Sequence, residues 1–405
     1  MPMRVDEMLS NHQRATSESF PRTGRNGARA AGCAGLAPAV GAFLGLKLLV
    51  LTANLFWFPT LRAGRTGGTG HPATSLATSA GRRAALLIPM RDEAATLLLT
   101  LPGLLTAGFD EVVFLDDGSS DGSAELVVAA VSGLPDWAAP VRVVTGAARP
   151  AGWVGKTWAC AQLAEHSTAD ILVFCDCDVQ LAAGTAPALV AEMTRQRAAV
   201  FSVFCRQRTG SWSERLLTPL ITDVLLCFLP FGLLDAPVPA AATASGAVLA
   251  FQRAAYEALG GFAGVRGELV EDVAIARRSR RMGFKLGLAL GGDVAQVRMY
   301  RRYREVIDGL GRGLVPAAGG RRWLIAAGWI WHVIAYTAPI LLLNRSSWWR
   351  LAAAFGIGER LLTEAKTGGR DWAAAALVSM SPLAAAPVVA RAMRTRQTWK
   401  GRTYG

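Results

Sequence analysis

The sequence has few of the residues that build disulfide frameworks or structural zinc sites. Its 405 residues include six cysteines and four histidines, and the cysteines are scattered along the chain. This pattern excludes a disulfide scaffold and favours a reducing, cytoplasmic setting for the chemistry. Cys175 and Cys177 form a C-x-C, but no second cysteine pair or histidine cluster completes a tetrahedral site. We therefore interpret both as small core residues.

Acidic residues are also scarce. Only 18% of the residues are charged, 52% are hydrophobic, and 43 basic residues against 30 acidic ones give a net charge of +13. Basic residues concentrate in 298–322 and 391–405. Such an excess suits nucleic acid, anionic lipid or a phosphate-bearing substrate. No nucleic-acid-binding motif accompanies it, whereas apolar segments do, so we expect a membrane surface and substrate phosphate, and no nucleic acid.

Three apolar segments are long enough to cross a membrane. Residues 36–58 contain Lys47 as the only charge and end in Phe56-Trp57-Phe58, a typical interface anchor. A cleaved signal peptide is the alternative, but the segment is long for one and begins late. Residues 323–343 and 372–390 lack Asp, Glu, Lys and Arg. We predict a transmembrane helix in each, with the more charged residues 344–371 between them at the interface.

The predicted topology agrees with charge placement at one end only. Crossing at 323–343 and returning at 372–390 leaves the basic tail, 394–405, on the side of the catalytic domain, as the positive-inside rule requires. The five arginines of residues 1–35, which we interpret as a disordered lead-in, would then lie on the opposite side. A hairpin or in-plane arrangement of the first segment is the alternative.

The region between the first and second apolar segments has the pattern of an α/β domain. We predict a linker over 59–83, a domain over 84–320 and a C-terminal membrane region over 321–393. Strands predicted at 84–88, 111–115, 141–145 and up to residue 176 alternate with helices near 93–106, 121–131 and 156–166. This alternation predicts a parallel sheet with helices on both faces. Ligands of such sheets bind beyond the carboxyl ends of the strands.

The clearest functional motif is Asp170-Ile-Leu-Val-Phe-Cys-Asp-Cys-Asp178. A short apolar strand runs into Asp176 and Asp178, which lie on one face of an extended chain. Two such carboxylates can hold a hard divalent cation that also binds phosphate oxygens. The alternative is an ordinary solvated strand end.

Two earlier strands also end in polar motifs. Ile88-Pro-Met-Arg-Asp-Glu-Ala94 stops a strand at a proline and opens a helix with acids. Phe114-Leu-Asp-Asp-Gly-Ser-Ser-Asp-Gly-Ser123 places Asp116 and Asp117 before a Gly/Ser turn. Paired carboxylates and a permissive turn suit a nucleoside. Turn and helix-cap chemistry is the alternative explanation.

A third motif, Gly152-Trp-Val-Gly-Lys-Thr157, resembles part of a phosphate-binding P-loop. The first glycine of that loop is replaced by Pro150, which lacks a backbone donor. We therefore reject an ATPase and keep Lys156 as a candidate phosphate partner, with an ordinary solvated lysine as the alternative.

Together, IPMRDEA, LDDGSSDGS and DCDV resemble, in this order, a family 2 glycosyltransferase with the nucleotide-binding GT-A fold. The resemblance covers about residues 84–310. It implies inverting transfer of a hexosyl group from a nucleotide-diphosphate sugar. Asp176 and Asp178 would hold Mg²⁺ or Mn²⁺, and Lys156 would assist the phosphates. The residues implied for seating the nucleoside are Pro89, Glu93, Asp116 and Asp117.

Downstream motifs extend the resemblance. Glu271 and Asp272 match the acid pair of the family at a helix start, and Asp272 is the expected base; favourable first-turn acids are the alternative. The Q-x-x-R-W motif of many relatives is absent, so polymer synthesis is not carried over. In its place lies a cationic strip for the diphosphate or an anionic lipid, or a plain membrane-facing strip, formed by Arg298, Arg301 and Arg302.

Finer motifs resemble a membrane-attached bacterial branch found around hopanoid and carotenoid biosynthesis. They are GWVGK, MYRRYREVIDGL and the terminal TWKGRTY. This resemblance implies a lipid or polyisoprenoid acceptor, and a multi-pass protein of the bacterial inner membrane with a cytoplasmic catalytic domain. The alternatives are a non-catalytic nucleotide-binding scaffold and a metal-dependent nucleotidyltransferase, which would release pyrophosphate.

Overall fold

A computed structural model describes residues 25–63, 81–133, 139–235, 242–394, 397–399 and 402–404. Its strands form a seven-stranded sheet, a small three-stranded sheet and a terminal hairpin. In chain order they are β1 Ala84–Met90, β2 Glu111–Asp116, β3 Val141–Thr145, β4 Ile171–Cys175, β5 Val179–Leu181, β6 Val200–Phe204, β7 Arg206–Gln207, β8 Val248–Gln252, β9 Leu286–Leu290, β10 Ala295–Val297, β11 Gln397–Trp399 and β12 Arg402–Tyr404.

Helices surround the sheets and form a second region near the chain ends. They are α1 Arg25–Trp57, α2 Ala94–Thr106, α3 Ser123–Val131, α4 Gly155–Glu165, α5 Thr185–Arg195, α6 Trp212–Leu217, α7 Leu220–Phe228, α8 Arg253–Ala258, α9 Glu271–Arg281, α10 Tyr303–Ala317, α11 Arg322–His332, α12 Ala338–Leu341, α13 Ser347–Thr367, α14 Trp372–Ala376, α15 Ser381–Ala384 and α16 Ala386–Ala392. A π-helical segment, Val333–Thr337, joins α11 to α12.

The large sheet is mixed rather than wholly parallel. Its strand order is β3-β2-β1-β4-β8-β6-β9. β1 pairs in parallel with β2 and β4, whereas β8 is antiparallel to both β4 and β6. The predicted parallel sheet is thus correct for the first four strands and wrong for β8. Val248, the first residue of β8, pairs with Cys175, the last residue of β4, so β8 starts at the edge where β4 ends.

The sheet is covered on both faces at its centre, which explains why strands such as β1 and β4 are apolar along their whole length. Successive residues of a strand point to opposite faces. Ile88 and Phe114 therefore belong to one core, and Leu87 and Phe174 to the other. This continuous burial holds the strand ends, and the loops that follow them, in fixed positions.

The first helix packs on the rest of the protein. Helix α1 contacts α13 and α7. It starts at Arg25, so residues 25–35, predicted as part of a disordered lead-in, are helical; residues 1–24 lie outside the described residues. The predicted linker also begins too early, because the Leu61 amide donates to the Leu290 carbonyl at 2.8 Å and extends the edge of β9. Residues 64–80 are not described.

The C-terminal apolar segments are less regular than predicted. Within the described ranges, the stretches long and apolar enough to cross a membrane are Gly35–Trp57 and Arg322–Leu341. The predicted single helix over 372–390 is divided into α14, a 3-10 turn, α15 and α16. Pro382 and Pro387 stand in the first turns of the last two pieces. Proline lacks an amide donor and clashes with the preceding turn, which explains the breaks.

Candidate active site

A cavity of about 770 Å³ lies beyond the carboxyl ends of β1, β2 and β4. This is the edge at which a doubly covered α/β sheet binds its ligands. The walls come from the strand-end loops, from the first turns of α4, and from α10 with the segment that leads into it. The lining residues include Pro89, Arg91, Glu93, Asp117, Lys156, Asp176, Asp178, Tyr300, Glu305, Asp308 and Arg312.

The two carboxylates after β4 face this cavity. Asp176 and Asp178 line it, while Cys175 and Cys177 are buried in the hydrophobic core, as the sequence indicated. Burial, and then the charges of Asp176 and Glu93, raise the pKa of Asp178 to about 7. Clustered carboxylates that repel one another in this way form a donor set suited to a hard divalent cation.

Lys156 connects the two acidic motifs. It lies in the first turn of α4, and its Nζ is 2.7 Å from Asp176 Oδ1 and 3.0 Å from Glu271 Oε1. Burial alone would lower the pKa of Lys156, but the two carboxylates outweigh burial and raise it well above its usual value. Lys156 is therefore a fixed ammonium group at the cavity wall.

Asp272 lies behind this lysine, at the start of α9. Its Oδ2 accepts a hydrogen bond from the Gly246 amide at 2.6 Å, and its Oδ1 accepts one from the Val273 amide at 2.7 Å. Burial, and then the neighbouring Glu271, raise the pKa of Asp272 to about 7. A carboxylate with this pKa is matched to proton transfer near neutral pH.

Gly246 permits this arrangement and was not singled out from the sequence. A Cβ added there would lie 3.1 Å from Glu271 Oε1, 3.2 Å from Lys156 Nζ and 3.3 Å from Asp272 Oδ2. A side chain at this position would therefore push these charged groups apart by a few tenths of an ångström. The Ser-Gly that follows Ala244, just before an apolar strand, is the sequence signal that marks it.

Some residues of the motifs after β1 and β2 line the cavity, and others hold the two loops in place. Asp117 lines the cavity, whereas Asp116 Oδ1 accepts from the Ser119 amide at 3.0 Å and closes its own turn. Asp92 adopts a left-handed backbone, φ 51°, and its Oδ1 accepts from the Ser120 amide at 2.8 Å. Asp92 thus holds the two loops together, and Pro89 and Glu93 lie on the cavity wall.

The structure does not bring the predicted arginine strip to the cavity. Arg298 pairs with Glu214, at 2.8 Å between Nε and Oε2, and Arg301 and Arg302 are exposed outside the cavity. The cation that lines the cavity from this segment is Arg312. Its spacing from Glu305 and Asp308 on one helical face is the signal that could have revealed it.

The helical region holds a second cluster of potential ligand atoms. Among the described residues, Asp223, Cys227 and Glu359 bring ligand atoms close enough for a metal ion. The Lys47 Nζ lies between the carboxylates, 3.1 Å from Asp223 and 2.7 Å from Glu359. This ammonium already supplies the compensating charge, so the cluster is a buried salt bridge.

Several solved structures are similar in overall shape. A mannosyltransferase from Pyrobaculum calidifontis, in complex with GDP-Man and Mn²⁺, is 18% identical, with 87% of this chain and 97% of that chain covered and a TM-score of 0.48. Glucosyl-3-phosphoglycerate synthase from Mycobacterium tuberculosis, in complex with Mn²⁺, UDP and phosphoglyceric acid, is 21% identical, with 65% and 87% covered and a TM-score of 0.38. At these values the likeness decides nothing about the substrates of this chain.

Sequence comparison gives a more specific result. The search of curated proteins finds no match. A family model does match residues 85–259, which span β1 to the start of the segment after α8 and contain Asp117, Lys156, Asp176 and Asp178. The description of that family is glycosyl transferase family 2. Residues 85–259 of the chain are thus similar to glycosyl transferase family 2.

Proposed function

We propose that the protein is an inverting glycosyltransferase that moves a sugar from a nucleotide-diphosphate sugar to a lipid acceptor. The observation that carries this proposal is the convergence of Asp176, Asp178 and Lys156 on one cavity, with Asp272 held immediately behind them. Asp176 and Asp178 follow β4, Lys156 lies in the first turn of α4, and Asp272 lies at the start of α9, beyond the matched residues. The resulting chemistry combines phosphate binding with proton acceptance.

Asp176 and Asp178 are the residues that would hold Mg²⁺ or Mn²⁺. Their carboxylate oxygens are hard donors, and the pKa of Asp178 is raised by burial and then by neighbouring negative charge that a cation would compensate. When bound, the ion supplies positive charge to a diphosphate leaving group. A nucleotidyltransferase would use similar donors but release pyrophosphate.

Basic groups of the chain itself add to phosphate binding. Lys156 holds its ammonium within 2.7 Å of Asp176, so a diphosphate bound near Asp176 is also near this cation. Arg312 lines the cavity from the α10 side. Pro89, Glu93 and Asp117 form the part of the wall assigned to the nucleoside, and Asp116 supports that wall through its turn.

Asp272 serves as the base, with Glu271 beside it. At neutral pH its carboxylate accepts the proton of the acceptor hydroxyl while that oxygen attacks the anomeric carbon from the face opposite the diphosphate. A single displacement of this kind inverts the anomeric configuration. The two amide donors, from Gly246 and Val273, keep the carboxylate oriented before the acceptor arrives.

The acceptor is proposed to be a membrane lipid such as a polyisoprenoid alcohol of the carotenoid or hopanoid kind. Two stretches have the length and composition to cross a bilayer. Exposed aromatic side chains at their ends, Phe56, Trp57 and Trp323, suit the membrane interface. We place the matched domain on the cytoplasmic side of a bacterial inner membrane, next to a substrate that stays in the bilayer.

The test is nucleoside diphosphate release by membranes containing the full chain, with a panel of nucleotide sugars, Mg²⁺ or Mn²⁺, and extracted lipids. Asp176→Asn and Asp272→Asn should abolish lipid-dependent release. Glu257→Gln, which makes the same carboxylate-to-amide change at a side chain 64% exposed, should not. Release of pyrophosphate would indicate a nucleotidyltransferase. Nucleotide binding without release from any donor would indicate a scaffold.

A further inference from the structure

A second cavity, of about 480 Å³, shares no lining residue with the candidate active site. It lies between the small sheet, order β5-β10-β7, and the last turns of α13. Its walls are polar and rich in arginine. The lining residues include Arg206, Gln207, Arg208, Thr363, Glu364, Arg370 and Asp371.

The cavity has an excess of positive charge. Its two lining carboxylates are each paired with an arginine: Glu364 with Arg360 at 3.1 Å, and Asp371 with Arg215 at 2.5 Å. Three further arginines line the cavity, namely Arg206, Arg208 and Arg370. Of these, Arg206 also contacts Asp293, whose side chain is 90% exposed. Guanidinium groups gathered in this way favour a phosphate or another compact anion.

Two buried polar atoms in the wall have no hydrogen-bond partner within the described residues. They are Thr363 Oγ1 and Gln207 Oε1. Thr363 is only 1% exposed. A buried polar atom without a hydrogen bond lowers the stability of the fold by about 1–3 kcal/mol. These two atoms therefore indicate a ligand that supplies the missing hydrogen bonds. Gln207 Oε1 requires a donor, which a phosphate dianion lacks and a hydroxyl group supplies.

The cavity also lies at the level where the first candidate span ends. In the same turns of α13, Lys366 Nζ donates to the carbonyls of Leu55 at 2.9 Å and Phe58 at 2.7 Å. Between those two residues, Phe56 and Trp57 are 81% and 68% exposed. Aromatic side chains of this kind mark the depth of the lipid headgroups.

We propose that this second cavity binds a phosphorylated polyol, with the phosphate on the arginines and the hydroxyl groups on Thr363 and Gln207. The same chemistry is carried by a free polyol phosphate and by the headgroup of an anionic glycerophospholipid. Binding at this site is separate from glycosyl transfer and does not depend on it.

The test measures binding to the full-length protein in detergent by calorimetry. The probes are sn-glycerol 3-phosphate, inorganic phosphate, and short-chain phosphatidylglycerol with short-chain phosphatidylcholine as its neutral counterpart. Thr363→Val removes only the unpaired hydroxyl and should weaken binding about tenfold, as expected for one hydrogen bond to a ligand. Arg206→Gln should weaken it at least as much.

Two variants serve as controls. Arg281→Gln makes the same charge change on the exposed end of α9 and should leave the dissociation constant within about twofold. Asp178→Asn alters the candidate active site and should also leave this binding intact, which separates the two cavities. Thr363→Val itself should fold normally, because its hydroxyl has no partner to lose.

The results with these probes distinguish a free polyol phosphate from the headgroup of an anionic lipid. Binding of sn-glycerol 3-phosphate that weakens in Thr363→Val and Arg206→Gln supports a free polyol phosphate. Binding of phosphatidylglycerol alone, with the same sensitivity, supports a lipid headgroup. Binding of neither probe, binding unchanged in both variants, or equal affinity for inorganic phosphate would overturn the proposal.

Discussion

Two lysines of this protein sit in nearly the same chemical surroundings, each between two carboxylates. Lys156 contacts Asp176 and Glu271, and its side chain is 21% exposed beside an Asp176 that is 31% exposed. Lys47 contacts Asp223 and Glu359, and the three side chains are 2%, 5% and 1% exposed. The charge pattern alone therefore does not identify a functional site. Access to a cavity makes the difference.

The buried cluster around Lys47 also connects helices that are far apart in sequence. Tyr336 donates to Glu359 at 2.7 Å and also contacts Lys47. One helix on each side of the matched region in sequence, α1 and α13, thereby meets α7, which lies within it. Around Lys156, by contrast, the same kinds of groups line or adjoin the cavity of the candidate active site, which a substrate can enter.

The largest difference is expected between two aspartate-to-asparagine variants, one beside Lys156 and one beside Lys47. Asp272→Asn should lower the rate of transfer by about 10³-fold, because general-base catalysis contributes about 10²–10⁴-fold, and should leave thermal unfolding nearly unchanged. Asp223→Asn should lower the unfolding temperature while each folded molecule keeps its activity. Rates normalised to folded protein provide the measurement. Equal losses of activity in both would remove the distinction between the clusters.

The two lysines give the next largest effect. Lys47→Met leaves two carboxylates buried without their cation and should destabilise the protein by about 3–5 kcal/mol. Lys156→Met, in a partly exposed setting, should cost about 1 kcal/mol or less in stability and remove activity. Denaturant unfolding in detergent measures both. The double variant Lys47→Met with Glu359→Met should recover part of the loss; a further decrease would contradict the buried-charge explanation.

Arg298 and Arg312, both in the basic segment 298–322, should also have different effects when substituted. Arg298→Gln should cost about 1–3 kcal/mol of stability, because buried Glu214 loses a bidentate partner. Burial alone would raise the pKa of Glu214, but the hydrogen bonds from Arg298 and from Ser211 hold it at about 2. Arg312→Gln should instead raise KM for the nucleotide sugar about tenfold without changing stability. A raised KM in Arg298→Gln alone would instead indicate that Arg298, and not Arg312, helps to bind the nucleotide sugar.

The smallest expected effect is a shift in pH dependence. The pKa of Asp272 is raised to about 7, so below pH 7 its carboxyl is protonated and cannot accept a proton. Activity at saturating metal should fall about tenfold per pH unit there. Glu271→Gln removes a neighbouring negative charge, lowers the pKa of Asp272 and should move this limb to lower pH by up to about one unit. Pre-steady-state rates across pH 5–8 measure the shift. A limb that moves upward would exclude Asp272 as its origin.

Local patterns in the sequence predicted much of the domain. Apolar runs bounded by turn residues located β1 to β4 within a few residues, and three of these strands, β1, β2 and β4, are buried on both faces. The motifs at their ends placed Asp176 and Asp178 on the cavity correctly, because the carboxyl ends of neighbouring parallel strands meet at one edge.

Contacts between distant parts of the chain were beyond the reach of local patterns. Arg298 was assigned to phosphate, but its partner, Glu214, is 84 residues away and belongs to the capping box of α6. Lys47 was noted only as a charge in an apolar segment, because its carboxylates lie 176 and 312 residues further along. The division of 372–390 was visible in its two prolines but was outweighed by the lack of charge.

The packing of α1 against α13 has a consequence for the order of events during synthesis. Lys47 leaves the ribosome 312 residues before Glu359, and at about 5–20 residues per second this interval lasts roughly 15–60 s. Asp223 and α7 follow Lys47 by 176 residues, but until α13 is made, α1 carries a cation and an apolar surface whose set of partners is incomplete. The nascent chain must therefore keep its first helix apart from other proteins, in a bilayer or on a chaperone, until its last helices arrive.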